Sequence, residues 1–169
     1  MLVYRIGKEQ YCNDLSGLGA KLFGGRWNRM GTPCVYTSQS RALALLEYSV
    51  NIGLDFIIPK LSFTVIEIQD DLIEVIPMES LPSNWKAIPA SSSTKTFGSD
   101  KLIQSSFPII RVPSVIIPDE FNFIINPTNI DPSAIKIVAV EEYQYDYRIK
   151  SWYFLILFIS KFIPIFNTK

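Results

Sequence analysis

Between Ser16 and Glu47 the chain gathers the side-chain types that phosphate and glycosidic chemistry require. Ser16-Gly17-Leu18-Gly19-Ala20 is followed by Gly24-Gly25-Arg26-Trp27-Asn28, then by Val35-Tyr36-Thr37-Ser38, then by Leu45-Leu46-Glu47. Glycines let main-chain amides approach a ligand closely, and a guanidinium offers paired donors to phosphate oxygens. A carboxylate placed beside such a grip would stabilise a sugar that becomes cationic as its glycosidic bond opens. The pattern therefore suits a site that holds a dinucleotide phosphate and works on the neighbouring bond.

Each candidate also has an ordinary structural reading. Arg26 either turns onto phosphate or satisfies the carbonyls of its own loop, and the tripeptide Gly24-Gly25-Arg26 leaves both open. Tyr36, near the end of a strand, presents its ring either to a ligand or to the core. Glu47 stands out more, because Ala42, Leu43, Leu45, Leu46 and Val50 surround it on one helix, and carboxylates in such company are paired or functional. Ser114, between Pro113 and Val115, can donate or accept in the same site. Asn126 before Pro127 is a turn former or a ligand, and Arg5 is a second phosphate ligand or a surface charge.

These residues need elements to carry them. Leu2 to Ile6 reads as a strand, Tyr11 to Met30 as a glycine-punctuated loop with a brief helix near Leu18 to Leu22, and Pro33 to Thr37 as a second strand. Ser38 or Ser40 caps the helix that bears Glu47. Phe56 to Ile68 reads as one or two strands, Thr94 to Ser105 as a poor helix interrupted by Gly98, and Leu81 to Ser106 as otherwise loose. Phe107 to Arg111, Ser114 to Ile117 and Phe121 to Ile125 are short apolar runs, and Ile135 to Tyr145 is a last strand. Strands outnumber helices. The expectation is a single α+β domain with a curved mixed sheet and helices packed around it.

Composition narrows the chemistry. The chain has 169 residues, enough for one core, with 16 basic and 16 acidic residues and no histidine. Without histidine, Ser-His-Asp and Cys-His nucleophiles and most catalytic zinc sites are excluded. With balanced charge there is no global positive field to drive DNA binding. Cys12 and Cys34 form neither a disulfide framework nor a metal-ligand pair, so a reduced, cytoplasmic protein is expected. Met1 to Lys8 has none of the features of a signal peptide. Trp152 to Phe166 is apolar except at Ser160 and Lys161, shorter than the roughly 20 residues that span a bilayer. A buried or partner-covered element, a membrane-associated tail and a poorly ordered extension are all compatible with it.

Arg5, the Ser16–Ala20 and Gly24–Asn28 segments, Val35–Ser38, Ala44–Glu47, Val112-Pro113-Ser114, Asn122 and Asn126-Pro127 together resemble the RES family, in the family's order. The likeness covers residues 2 to 148. Tyr145-Asp146-Tyr147-Arg148 is similar to the family's aromatic-Asp-Pro-Arg ending, with tyrosine where proline is usual. The resemblance divides the chain into a RES domain, 1–148, and an apolar extension, 149–169. It implies a fold similar to ADP-ribosyltransferases and the role of a toxin that degrades NAD⁺ and arrests growth. It further implies an Xre-type helix-turn-helix antitoxin as partner, with DNA contacted only through that partner. A toxin homodimer is compatible with the reading, and no membrane span is expected.

On that resemblance NAD⁺ is a substrate and no cofactor is required. Nicotinamide leaves as a neutral base, so one carboxylate suffices where ordinary glycosides use two. Glu47 is expected to stabilise the oxocarbenium-like ribose, Arg26 with Arg5 to hold the pyrophosphate, and Tyr36 to stack by the nicotinamide. Ser114 and Asn126 are expected to bond the nicotinamide or its ribose. Glycohydrolase and phosphorylase action fit this site. So does mono-ADP-ribosyl transfer to a protein, and a catalytically silent partner-binding module is the remaining alternative.

Overall fold

The computed structural model describes residues 1–53 and 60–150. The elements are β1 (Leu2–Lys8), α1 (Leu18–Phe23), β2 (Val35–Ser38), α2 (Arg41–Asn51), β3 (Lys60–Ile68), β4 (Ile73–Val75), α3 (Ser92–Gln104), β5 (Ile109–Pro113), β6 (Phe121–Ile125) and β7 (Ile135–Gln144). The strands form one mixed sheet in the order β4-β5-β6-β2-β1-β3-β7, with β4 and β5 parallel and every other pair antiparallel. A register shift between Val65 and Ile66 opposite β7 bends the far half of the sheet. This is the expected α+β domain on a curved mixed sheet.

The join between β2 and β1 matters most for function. β2 pairs with β6 over four positions and β1 with β3 over seven, yet β1 and β2 share only the register pair Tyr4–Ser38. Beyond that point the two halves of the sheet part. Successive side chains on a strand point to opposite faces, so Tyr36 and Ser38 lie on one face, together with their partners Ile124 and Asn122.

That face is covered by helices. Over β5 and β6, Leu102 of α3 packs with Trp27, Trp85, Ile110, Val112 and Ile124. Over β1 and β3, Ala44 and Leu45 of α2 pack with Ile6, Leu61, Phe63 and Tyr145. The opposite face buries Val3, Val35, Ile66, Ile109 and Phe123 under Leu15, Leu72 and Ile130. α2 lies across the join: Arg41 makes a two-pronged ion pair with Glu141 on β7 and stacks over the Tyr4 ring, while its other end reaches β5 and β6.

Three sequence expectations change. Ser114 to Ile117 is a turn, not a strand, because Ser114 Oγ accepts from the amides of Ile116 and Ile117 and takes them out of any ladder. β4 was not expected; its Glu74 is held by Lys101 and Ser105 of the α3 region while β5 supplies the parallel neighbour. α3 begins earlier than Thr94, because Ser91 caps it by accepting from Thr94 N at 3.2 Å. Phe56–Pro59 and the Trp152–Phe166 segment lie outside the described residues. Among the described residues no helix is long and apolar enough to cross a membrane.

Candidate active site

Ser40 starts α2 by accepting from Leu43 N at 3.1 Å, which fixes the helix phase. Glu47 then falls four residues after buried Leu43 and three after buried Ala44, on the inward face. It arrives over the ends of β5, β6 and β2. Glu47 Oε1 accepts from Asn122 Nδ2 at 2.6 Å and from Ser114 Oγ at 2.8 Å. Asn122 Oδ1 in turn accepts from Ser38 Oγ at 2.7 Å. The greasy helix therefore delivers one carboxylate to a polar nest of three side chains.

The proton directions in this nest are fixed by counting. Ser114 is fully buried, and its oxygen accepts two backbone amides, so its hydroxyl hydrogen is directed to Glu47. Asn122 must turn its carbonyl to the Ser38 hydroxyl and its amide to the carboxylate. Ser114 thus gives its donor to Glu47 and its acceptor positions to its own turn.

Tyr36 lies two residues before Ser38 on the same strand face, roughly 7 Å along β2. Its hydroxyl donates to Asn28 Oδ1 at 2.8 Å and accepts from Trp27 N at 2.9 Å. Burial, with the Cys34 thiol alongside, pushes its phenol well above the ordinary value, against the opposing pull of the Trp27 amide and of Arg26. Gly25 permits this contact: a Cβ there would sit 2.5 Å from the Tyr36 hydroxyl oxygen and 2.8 Å from Asn28 Oδ1. The second glycine of Gly24-Gly25-Arg26 is a packing requirement of Tyr36.

Where β1 and β2 part, a cleft of about 200 Å³ opens, lined by Arg5 and Ile6 on one side and Val35 and Tyr36 on the other, with Gly17 to Ala20 across it. Arg5 Nη1 donates to the Asp14 carbonyl. Burial lowers the Arg5 pKa from its ordinary value, with Asp14 and Cys12 acting in the opposite sense. A larger hollow of about 420 Å³ lies between α3 and β4, but its Glu74 carboxylate is already matched by Lys101 and Ser105. The cleft that Arg5 and Tyr36 line is the better candidate, since β2 also carries Ser38, two residues on, toward the Glu47 nest.

Arg26 Nη1 donates to the carbonyls of Trp85 and Ala87 at 2.8 and 2.9 Å, so the loop-satisfying reading holds for that nitrogen. The same guanidinium bears electrostatically on Tyr36. Asn126 is not brought to the other candidates by the fold. It is buried at the opposite end of β6, donating to the Leu102 carbonyl at 2.6 Å and accepting from Thr128, so it staples α3 to the following turn. Asn122, four residues earlier, is the asparagine that meets the carboxylate. Ser38 is the other residue that sequence reasoning did not assign to the site. Among the described residues no cluster of three His, Cys, Asp or Glu side chains could hold a metal ion.

Comparison with known proteins gives a consistent neighbourhood. The sequence profile of the RES domain matches residues 2–148. The chain is 38% identical over 128 residues to Toxin Res of Photorhabdus laumondii, covering 75% of this chain and 82% of that one. It is 40% identical over 139 residues to the Prs ADP-ribosylating toxin of Sphingobium sp. strain YBL2, covering 80% and 86%. In fold it is similar to a chain of the M. tuberculosis MbcT-MbcA toxin-antitoxin complex, with a TM-score of 0.69 at 17% identity, over 85% of this chain and 84% of that one.

Proposed function

Since the chain belongs to the RES domain family, we propose that it is the toxin of a toxin-antitoxin pair and an enzyme that breaks the nicotinamide–ribose bond of NAD⁺. The observation that carries this reading is the Glu47 carboxylate, anchored through Oε1 by Ser114 and Asn122 over the ends of β5 and β6, on a sheet whose β1–β2 cleft is lined by Arg5 and Tyr36.

In NAD⁺ the ring nitrogen of nicotinamide is cationic. When the C1′–N bond breaks, its electron pair returns to that nitrogen and the base departs neutral, with no proton to supply. Positive charge builds on the ribose instead, and a carboxylate held in place before the reaction stabilises it without reorganising. Water then adds at C1′ and gives up a proton, yielding ADP-ribose; inorganic phosphate adding there yields ADP-ribose 1-phosphate. Arg5 and the Arg26 nitrogens not spent on Trp85 and Ala87 neutralise the pyrophosphate, and the Tyr36 ring packs against the nicotinamide end. The cleft is smaller than a whole dinucleotide site, so it takes one part of the substrate while the remainder lies along the open surface.

The test is incubation of the purified chain with NAD⁺, with and without phosphate, and identification of products by mass. Glu47→Ala should remain folded and lose turnover by at least a hundredfold, about 2.7 kcal/mol of transition-state stabilisation. A folded Glu47→Ala protein that still consumes NAD⁺ refutes the assignment. A second reading, transfer of ADP-ribose to a protein, is supported by the name of the Sphingobium relative. Label from NAD⁺ appearing on protein selects it, and free ADP-ribose or its 1-phosphate selects the first.

The partner is proposed to be an antitoxin of Xre type, since a cell that makes such an enzyme must hold it bound and inactive. The toxin-antitoxin complex among the fold neighbours supports a partner of this kind. DNA contact would pass through that partner.

A further inference from the structure

We propose that Asn122 and Ser38 are positioning residues for Glu47, forming a relay that assigns different jobs to the two oxygens of its carboxylate. The inference rests on the reading of Glu47 as the catalytic carboxylate.

Both donors at the nest, Asn122 Nδ2 and Ser114 Oγ, converge on the same oxygen, Oε1. Two bonds to one oxygen fix the rotation of the carboxylate plane as well as its place. Oε1 is the anchored oxygen, and Oε2 is the one left to meet the developing charge on the sugar. Asn122 can do this only with its amide nitrogen turned toward Glu47, and nothing in the shape of a carboxamide enforces that. The carboxylate, which only accepts, selects that orientation, and the Ser38 hydroxyl holds it by donating to Asn122 Oδ1 at 2.7 Å. Remove that hydroxyl and Asn122 Oδ1 loses its partner, so the carboxamide is held only by Glu47 and its plane is free to twist out of line with the carboxylate.

Asn122 is 8% exposed and Ser38 4% exposed, so water does not substitute easily for either partner. Ser38 is also the β2 residue of the Tyr4–Ser38 register pair that joins the two halves of the sheet. One residue therefore ends the cleft with its backbone and orients the carboxylate's holder with its side chain.

The test compares Ser38→Ala and Asn122→Asp with the native chain and with Glu47→Ala, using NAD⁺ consumption over a range of pH. Ser38→Ala deletes a single buried oxygen and should stay folded by circular dichroism. Its kcat should fall roughly tenfold, with KM for NAD⁺ within about twofold of native. Asn122→Asp keeps the acceptor for Ser38 but sets a carboxylate oxygen against Glu47 Oε1. Its kcat should fall roughly a hundredfold, and the acid limb of its pH profile should move up by about one unit or more, because two adjacent carboxylates retain a proton. A merely structural role would lower thermal stability and leave the pH profile and the kcat of folded enzyme unmoved, and that result overturns the relay. If Glu47→Ala is inactive while Ser38→Ala and Asn122→Asp match the native chain, the relay alone fails. If Glu47→Ala retains turnover, the catalytic reading beneath it fails.

Discussion

Gly98 sits in the middle of α3, where helix propensity alone favours alanine by about 0.5–1 kcal/mol. The structure reverses that sign. A Cβ at position 98 would lie 2.2 Å from the carbonyl oxygen of Trp27, 2.8 Å from its carbonyl carbon and 2.9 Å from its Cα. All three are backbone atoms, so no side-chain rotation relieves the overlap. To reach an ordinary contact of 3.4 Å, α3 and the Trp27 loop must separate by about 1.2 Å, the difference between 3.4 and 2.2 Å. That movement lengthens the 2.8 Å bond from Arg29 N to the buried Ser99 hydroxyl and loosens Trp27 from Trp85 and Phe97. Overpacking costs about 2 kcal/mol and the lost hydrogen bond about 1, against a helix gain of about 0.75. The net is a destabilisation of about 2 kcal/mol, or roughly 4–8 °C in Tm for a chain of this size. Thermal unfolding of Gly98→Ala followed by circular dichroism measures it. A Tm equal to or above that of the native chain would refute the close approach of α3 to the loop that carries Arg26.

Tyr36→Phe leaves the Trp27 amide and Asn28 Oδ1 without their shared partner, and should cost about 2–3 kcal/mol in urea unfolding, with NAD⁺ turnover falling as the Arg26 loop loosens. No loss of stability would show that water replaces the phenol. Burial pushes the Cys34 thiol up to about 12, partly opposed by Tyr36. A raised folded pKa contributes stability that is complete below the unfolded value and is lost as pH rises. The fold should therefore weaken between pH 9 and 12 by up to about 1.4 kcal/mol per unit from this group. Urea midpoints at pH 8 and pH 10.5 test this: Cys34→Ala should show a shallower decline than the native chain, and an identical decline would remove Cys34 as the cause.

Much of this architecture could be read from residue order, and the failures share a cause. The strand Phe121–Ile125 and the Ser40 cap of α2 are specified by local sequence, an apolar run in one case and a side-chain acceptor in the other. Glu47 was conspicuous because its neighbours on the helix are apolar. Asn122 and Asn126 were not separable in the same way. They are the same residue type, one on β6 and one just past its end, and the difference lies in which neighbours the fold brings to them, Ser38 and Glu47 in one case and Leu102 in the other. Ser114 misled because its hydroxyl competes with strand geometry by binding the amides ahead of it. β4 is three residues long, and neighbours distant in sequence hold it in place.

α2 spans a seam in the sheet and is fastened on both sides of it, but unequally. Its Arg41–Glu141 attachment is exposed and screened by solvent, and such pairs resist little. The Glu47 attachment is half-buried and made of two bonds to one charged oxygen. On the β1 and β3 side the lasting hold is the packing of Ala44 and Leu45 on Ile6, Leu61 and Phe63, with Ser49 bonded to Tyr145. A helix so held on both halves ties the acid to the two walls of the seam at once, and a substitution in either buried attachment would be felt at Glu47.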